Sequence, residues 1–168
     1  LVADGIDEQC VNTMSNALTA EGAVVKLIAP RLGTVKGAQG GSLKVDQSFL
    51  TASSLLFDAV YLPDGSTGIK TLLCIPEAVC FVDEAYKHCK PIAASADGLQ
   101  VLEATYFSKK LPEDNKIDTV MREGVVVGND VTKLAKLFRA AIAQHRFWER
   151  EKPRKVPDKF TKVFRVIN

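Results

Sequence analysis

Short, continuous apolar runs at residues 23–29, 57–62, 91–94 and 124–128 alternate with segments whose apolar residues recur every three or four positions. A strand that is apolar throughout must be covered on both faces, and helices between such strands supply the cover. That alternation predicts an α/β fold with a mostly parallel central sheet and helices on both of its faces. The length of 168 residues fits one domain of this kind.

The elements follow from local chemistry. Asp7 is an N-cap for a helix with Val11, Met14, Ala17 and Leu18 on one face, closed by Gly22. Residues 1–5, Leu-Val-Ala-Asp-Gly, read as the last half of a strand, so the expectation is a truncated start or a domain cut from a longer polypeptide. Pro30 stops the 23–29 strand. Thr34–Val35 and 42–45 flank Gly40-Gly41, the pattern of a small hairpin at the sheet edge. The 57–63 strand leads into an Asp64-Gly65-Ser66 loop. Pro76 opens a helix carrying Ala78, Phe81, Val82, Ala85, Tyr86 and Cys89. The 90–94 strand precedes a helix beginning at Gly98. Residues 105–119 read as a polar loop. Asn129 or Asp130 caps a last helix with Leu134, Phe138, Ala141, Ile142 and His145 on one face. The pattern fails after Glu151. The expected domain is 1–151, with 152–168 an exposed tail or linker.

Several function classes are disfavoured. A net charge of +2 marks neither a nucleic-acid nor a membrane surface, and no apolar run approaches the roughly 20 residues of a membrane span. The basic stretch 146–155 is interleaved with Glu149 and Glu151, as in a solvated helix end or a subunit contact. Four cysteines (Cys10, Cys74, Cys80, Cys89) contain no C-x-x-C pair, and the two histidines are far apart, so neither a zinc site nor a disulfide framework is expected. Free, mostly buried thiols are. The turn at residues 3–8 is acidic with one glycine, which repels rather than cradles a phosphate, and G-x-G-x-x-G is absent, so no nucleotide cofactor is expected.

Two stretches carry a family signal: Phe57-Asp58-Ala59-Val60-Tyr61-Leu62-Pro63-Asp64-Gly65, and Lys90 through Leu102. Together they resemble the PfpI-type, class I glutamine-amidotransferase-like superfamily, which implies a flavodoxin-like three-layer sandwich. In that family one strand ends in a Pro-Gly-Gly oxyanion loop, and another ends in a sharp Cys-His-Gly turn bearing the nucleophile. On this register the cysteine position is Ala96 and the histidine position is Asp97. The acidic residue that supports the cysteine is replaced by Cys10, and the oxyanion loop has become Pro63-Asp64-Gly65. A methyl group cannot attack, and an aspartate at a helix start is expected to be held as an anion and to serve poorly as a base. The expected site is therefore a degenerate one (Cys10, Asp64, Gly65, Ala96, Asp97), with no catalytic and no metal residues. Ser95 is expected to point away from the corner, and Ser66 has no histidine near it in sequence.

Leu1 to Gly5, Lys36 to Ser48, Leu62 to Gly65 and the helix ending Arg146 to Arg150 look like the C-terminal domain of large-subunit catalases. That resemblance implies a non-catalytic accessory domain beside a haem-binding body, in a homotetramer that decomposes hydrogen peroxide. It implies no haem in this chain: no Arg has a Tyr four positions later. The implied partners are the catalase body and neighbouring subunits, and the implied roles are stability, assembly and substrate access. A second expectation is holdase-type chaperone activity on unfolding clients through Phe147 and Trp148; the competing expectation is that the pair docks on the sheet or on the catalase body. Residual hydrolase or glyoxalase-like activity is the weakest.

Overall fold

The computed structural model describes residues 1–111 and 119–151. Parallel strands β5 (Val60–Leu62), β6 (Ile92–Ser95) and β8 (Val125–Gly128) lie in the order β5-β6-β8, with β7 (Val120–Arg122) antiparallel at the edge. Strand β1 (Ile28–Ala29) pairs in parallel with β4 (Gln47–Ser48). Residues 1–3 join the two groups: Leu1 N donates to Tyr61 O at 2.7 Å and Val2 N to Ile28 O at 2.9 Å. The sheet therefore reads β4, β1, 1–3, β5, β6, β8, β7. The hairpin β2 (Gly33–Lys36) and β3 (Ser42–Val45) stands apart from it.

Side chains alternate across the sheet as a period of two requires. Ala93 and Val126 face a layer built from Met14 and Leu18 of α1 (Glu8–Thr19) and Leu134, Phe138 and Ala141 of α5 (Val131–Ala143). Ile92, Ala94, Val125 and Val127 face the opposite layer. There Ile69 and Leu72 of α2 (Ser66–Leu73), Phe81, Val82 and Ala85 of α3 (Pro76–Lys87), and Val101 and Leu102 of α4 (Leu99–Glu103) pack. Asp7 caps α1 and Asp130 caps α5, each accepting two backbone N–H groups. Pro76 is the first residue of α3.

Several expectations are corrected. The strand at 23–29 is confined to Ile28–Ala29, although exposure alternates along 23–27 as in extended chain. The loop expected at Asp64 to Ser66 is shorter, because Ser66 already opens α2. His145 lies beyond the end of α5 with φ 64°. Part of the 105–119 loop is outside the described residues; the described part is not simply polar, since Phe107 and Leu111 are buried and the Phe107 ring stacks on Tyr86 at 3.8 Å. The thiols are not mostly buried: Cys89 is, Cys10 is half-buried, and Cys74 and Cys80 are exposed. The proposed tail, 152–168, lies outside the described residues.

Candidate functional site

Three loops converge at the C-terminal ends of the 1–3 segment, β5 and β6, where ligands bind in open α/β sheets. The first carries Asp7, whose Oδ1 accepts from Gln9 N at 2.8 Å and Cys10 N at 3.0 Å. The second is Pro63-Asp64-Gly65. Its carbonyl at Asp64 accepts Asp7 N at 2.8 Å, and Gly65 has φ 117°. A Cβ at Gly65 would sit 2.5 Å from Asp7 N, so only glycine lets the two loops meet. The third is the corner after β6. Ala96 occupies it with φ 35°, in the left-handed region that L-residues avoid. Gly98 then lets the corner rest on β5, since a Cβ there would lie 2.5 Å from Leu62 O.

Of the residues expected at the site, Asp64 and Asp97 are linked directly and Cys10 joins them through Asp7. One Asp64 oxygen takes both Gly65 N at 2.8 Å and Asp97 N at 3.1 Å. The Asp97 carboxylate accepts Gln100 Nε2 at 3.0 Å. Burial, then the charge of Asp64, pushes the Asp97 carboxyl above its ordinary value, against the pull of Gln100 and Lys70, so the position does not favour the anion as expected. Burial, then the carboxylates of Asp7 and Asp64, push the Cys10 thiol up to about 11. A thiol in that state is a poor nucleophile at neutral pH. A cavity of about 280 Å³ beside the corner is lined by Ala96, Asp97, Leu99 and Asn129.

Asp7, Cys10 and Asp64 each place one donor atom within 4.8 Å of the others, the one such group among the described residues. Oxygens of both carboxylates are engaged by backbone N–H groups, and the thiol keeps its proton.

Ser95 is buried, with its hydroxyl 2.6 Å from the Tyr61 hydroxyl, and burial pushes the Tyr61 phenol well above its ordinary value. His88 is on the surface, 3.5 Å from Glu84, and His145 lies 3.8 Å from Asp58. The Phe147–Trp148 pair splits: Phe147 is 6% exposed, with its ring against Gly124, and Trp148 is 62% exposed.

Sequence reasoning missed two groups that tie distant segments together, one beside the corner and one at the opposite end of the sheet. Glu8 is buried, and its carboxylate accepts Gly41 N at 2.8 Å and Gln39 N at 3.1 Å, tying the hairpin turn over the start of α1. Arg150 donates to the carbonyls of Glu123 and Lys90 and lies 4.2 Å over the Tyr86 ring, pinning the segment after α5. Both unite residues more than 25 positions apart, and no local pattern reports such pairs.

The profile of the C-terminal domain found in long catalases matches residues 2–152. Catalase HPII of Mycobacterium avium is 38% identical over 154 residues, covering 89% of this chain and 22% of that protein. Catalase HPII of Pseudomonas aeruginosa is 34% identical over 151 residues, covering 90% and 20%. The chain thus spans about a fifth of the length of these relatives. Among solved structures, a two-domain protein of Anabaena variabilis with DJ-1/ThiJ/PfpI-like and ferritin-like domains superposes with a TM-score of 0.73 at 20% identity, covering 83% of this chain and 46% of that one. Schizosaccharomyces pombe DJ-1 superposes with a TM-score of 0.68 at 18% identity, covering 99% and 96%. These likenesses show the flavodoxin-like fold read from the sequence. With the profile spanning nearly all of its length, the chain belongs to the family of C-terminal domains found in long catalases.

Proposed function

We infer that the chain is a non-catalytic accessory domain of a long catalase, adding stability, subunit contact and control of peroxide access to a haem held elsewhere in the polypeptide. In this reading residues 1–151 are the domain and 152–168 a tail or linker. The observation that carries it is Ala96. The strained corner that would lift a nucleophile above the sheet is built, at φ 35°, but it bears a methyl group. The groups around it are two neighbouring carboxyls and a protonated thiol, and none of them is placed to attack a carbonyl.

The residues present do not fit haem. An axial ligand must face a cavity, whereas His88 and His145 lie on the surface beside carboxylates and the Tyr61 hydroxyl is bound to Ser95. A domain that acts by contact stabilises whatever it binds only in the folded state. Deleting it from the full-length protein and weighing the assembly tests this: the reading expects partial loss of the oligomer, and an unchanged oligomer with unchanged heat resistance overturns it.

A further inference from the structure

The connection from β4 to β5 is uncharged: residues 47–57 contain no Asp, Glu, Lys or Arg, in a chain where a quarter of the residues are one of these. Depletion of charge marks the core of a protein interface. The outward side chains here include Leu50 and Leu55, 84% and 63% exposed. Single surface leucines need no account, but two on one uncharged connection call for a cover.

The connection is held rigid from beneath. Phe49 is buried, and its ring and that of Phe57 meet Phe81 of α3 at 6.4 and 5.9 Å. Ser48 and Thr51 close a turn in which Ala52 N donates to Ser48 O at 2.8 Å and Ser48 N to Thr51 Oγ1 at 3.2 Å. Ser53 caps the single 3-10 turn Ser54–Leu56, its hydroxyl oxygen accepting Leu55 N at 3.3 Å. Lys90, 2% exposed, donates to the carbonyls of Ser54 and Phe57, both at 2.6 Å. A buried ammonium thus fixes the backbone on either side of Leu55. A surface fixed before contact loses little freedom on binding.

The scale of this face decides between occupants. An apolar patch on a surface of this kind covers roughly 300–600 Å². A second copy free in solution needs about 800 Å² on each side to form a stable pair. A smaller face suffices for a partner on the same chain, because a tether sets an effective concentration near millimolar. The matched relatives are longer proteins, of which this chain spans 22% and 20%. We propose that residues 49–56 seat the domain against the body of its own polypeptide, where an apolar, uncharged patch covers Leu50 and Leu55. This rests on the reading above, in which the chain is an accessory domain of a long catalase, and adds to it the surface through which contact is made. The connection leaves the β4 edge of the sheet, whereas Phe147 packs on Gly124 at the β7 edge, so this seat is separate from the one expected of the Phe147–Trp148 pair.

Footprinting of the full-length protein with hydroxyl radicals made by X-ray radiolysis reads both side chains without any substitution. Leu50 and Leu55 are expected to be oxidised several-fold more slowly than leucine in an unfolded peptide, and rates near that of the peptide overturn the proposal. A benzophenone-bearing residue in place of Leu50, and in a second variant in place of Leu55, then identifies the cover; positions this exposed tolerate replacement. The expected photoproduct keeps the mass of one subunit and joins residues 49–56 to a peptide outside residues 1–168. A product of doubled mass, joins only to residues 1–151, or no product from a folded variant overturns the proposal. The oligomer and heat measurements decide the accessory reading separately: a domain whose deletion hastens inactivation, yet whose Leu50 and Leu55 are free, strikes only this seat.

Discussion

Asp64 and Asp97 are joined through one carboxylate oxygen of Asp64, which accepts the Asp97 backbone N–H at 3.1 Å. The bond locks the β5 loop to the corner after β6, and it also sets two carboxyl groups side by side. Because burial and Asp64 raise the Asp97 carboxyl, the folded state binds that proton more tightly than the unfolded chain does. Stability from this group is present at low pH. It falls as pH climbs through a window that opens near the ordinary value of 3.8 and closes at the raised folded value. Asp97→Asn removes the fall while keeping a partner for Gln100. It gains stability at pH 7 and little at pH 3, measured by urea unfolding at both.

Glu8 has the opposite sign. Burial works against its charge, but N–H groups of the hairpin turn, including those of Gln39 and Gly41, hold its carboxyl below the ordinary 4.5. Its contribution is therefore present above the unfolded value and is lost as pH falls through the folded one. Glu8→Gln lowers the urea midpoint at pH 7 and flattens the acid limb below about pH 4.5. An acid limb with its steepness unchanged contradicts this.

The strain at Ala96 is relieved by glycine. Ala96→Gly gains up to about 1 kcal/mol, less the chain entropy of glycine, and Ala96→Val loses about 1–2 kcal/mol at the same backbone angle. Thermal unfolding of the pair reads both signs.

Thiol reactivity separates the four cysteines. With Cys10 held up to about 11, about one thiol in a thousand is ionised at pH 8. Iodoacetamide at pH 8 labels the exposed Cys74 and Cys80 first, with Cys10 and the buried Cys89 lagging in a mass-spectrometric time course. Asp7→Asn, which removes one of the charges opposing the thiolate, speeds labelling of Cys10.

The split at the end of the chain gives the last contrast. Phe147→Ala empties a packed site over Gly124 and costs about 3 kcal/mol, whereas Trp148→Ala stays within about 0.5 kcal/mol. A holdase surface built on the pair has only Trp148 to offer, so light scattering of a heat-aggregating client is expected to show no difference between the Phe147→Ala chain and the parent at temperatures where both are folded.

What was legible in the sequence was what local pattern encodes. The Asp7 and Asp130 caps, Pro76 at the start of α3 and the apolar runs of β6 and β8 gave the layers, and the resemblance of residues 90–102 to the superfamily's strand and turn gave the register that puts Ala96 at the corner. Helix α2 was not legible: its N-cap is Gly65, with no side-chain cap, and Gly68 sits inside it where a helix former would be expected. Strands β4 and β7 have two and three residues, too few to show a period. The direction of the Asp97 shift was misjudged because it depends on burial and on Asp64, 33 positions away. The burial of Phe147 beside an exposed Trp148 depends on a glycine in the β7–β8 turn, which no helical pattern reveals.

The central claim is that the domain acts through contact and not through chemistry at its corner. The most direct test is the half-life of peroxide-decomposing activity at elevated temperature for three forms of the full-length protein: unaltered, carrying Cys10→Ala, Asp64→Asn and Asp97→Asn together, and lacking the domain. The account predicts that the triple variant keeps the initial rate and approaches the unaltered half-life, while the deleted form inactivates several-fold faster. A triple variant that folds but loses the initial rate, or a deleted form that lasts as long as the unaltered protein, contradicts it.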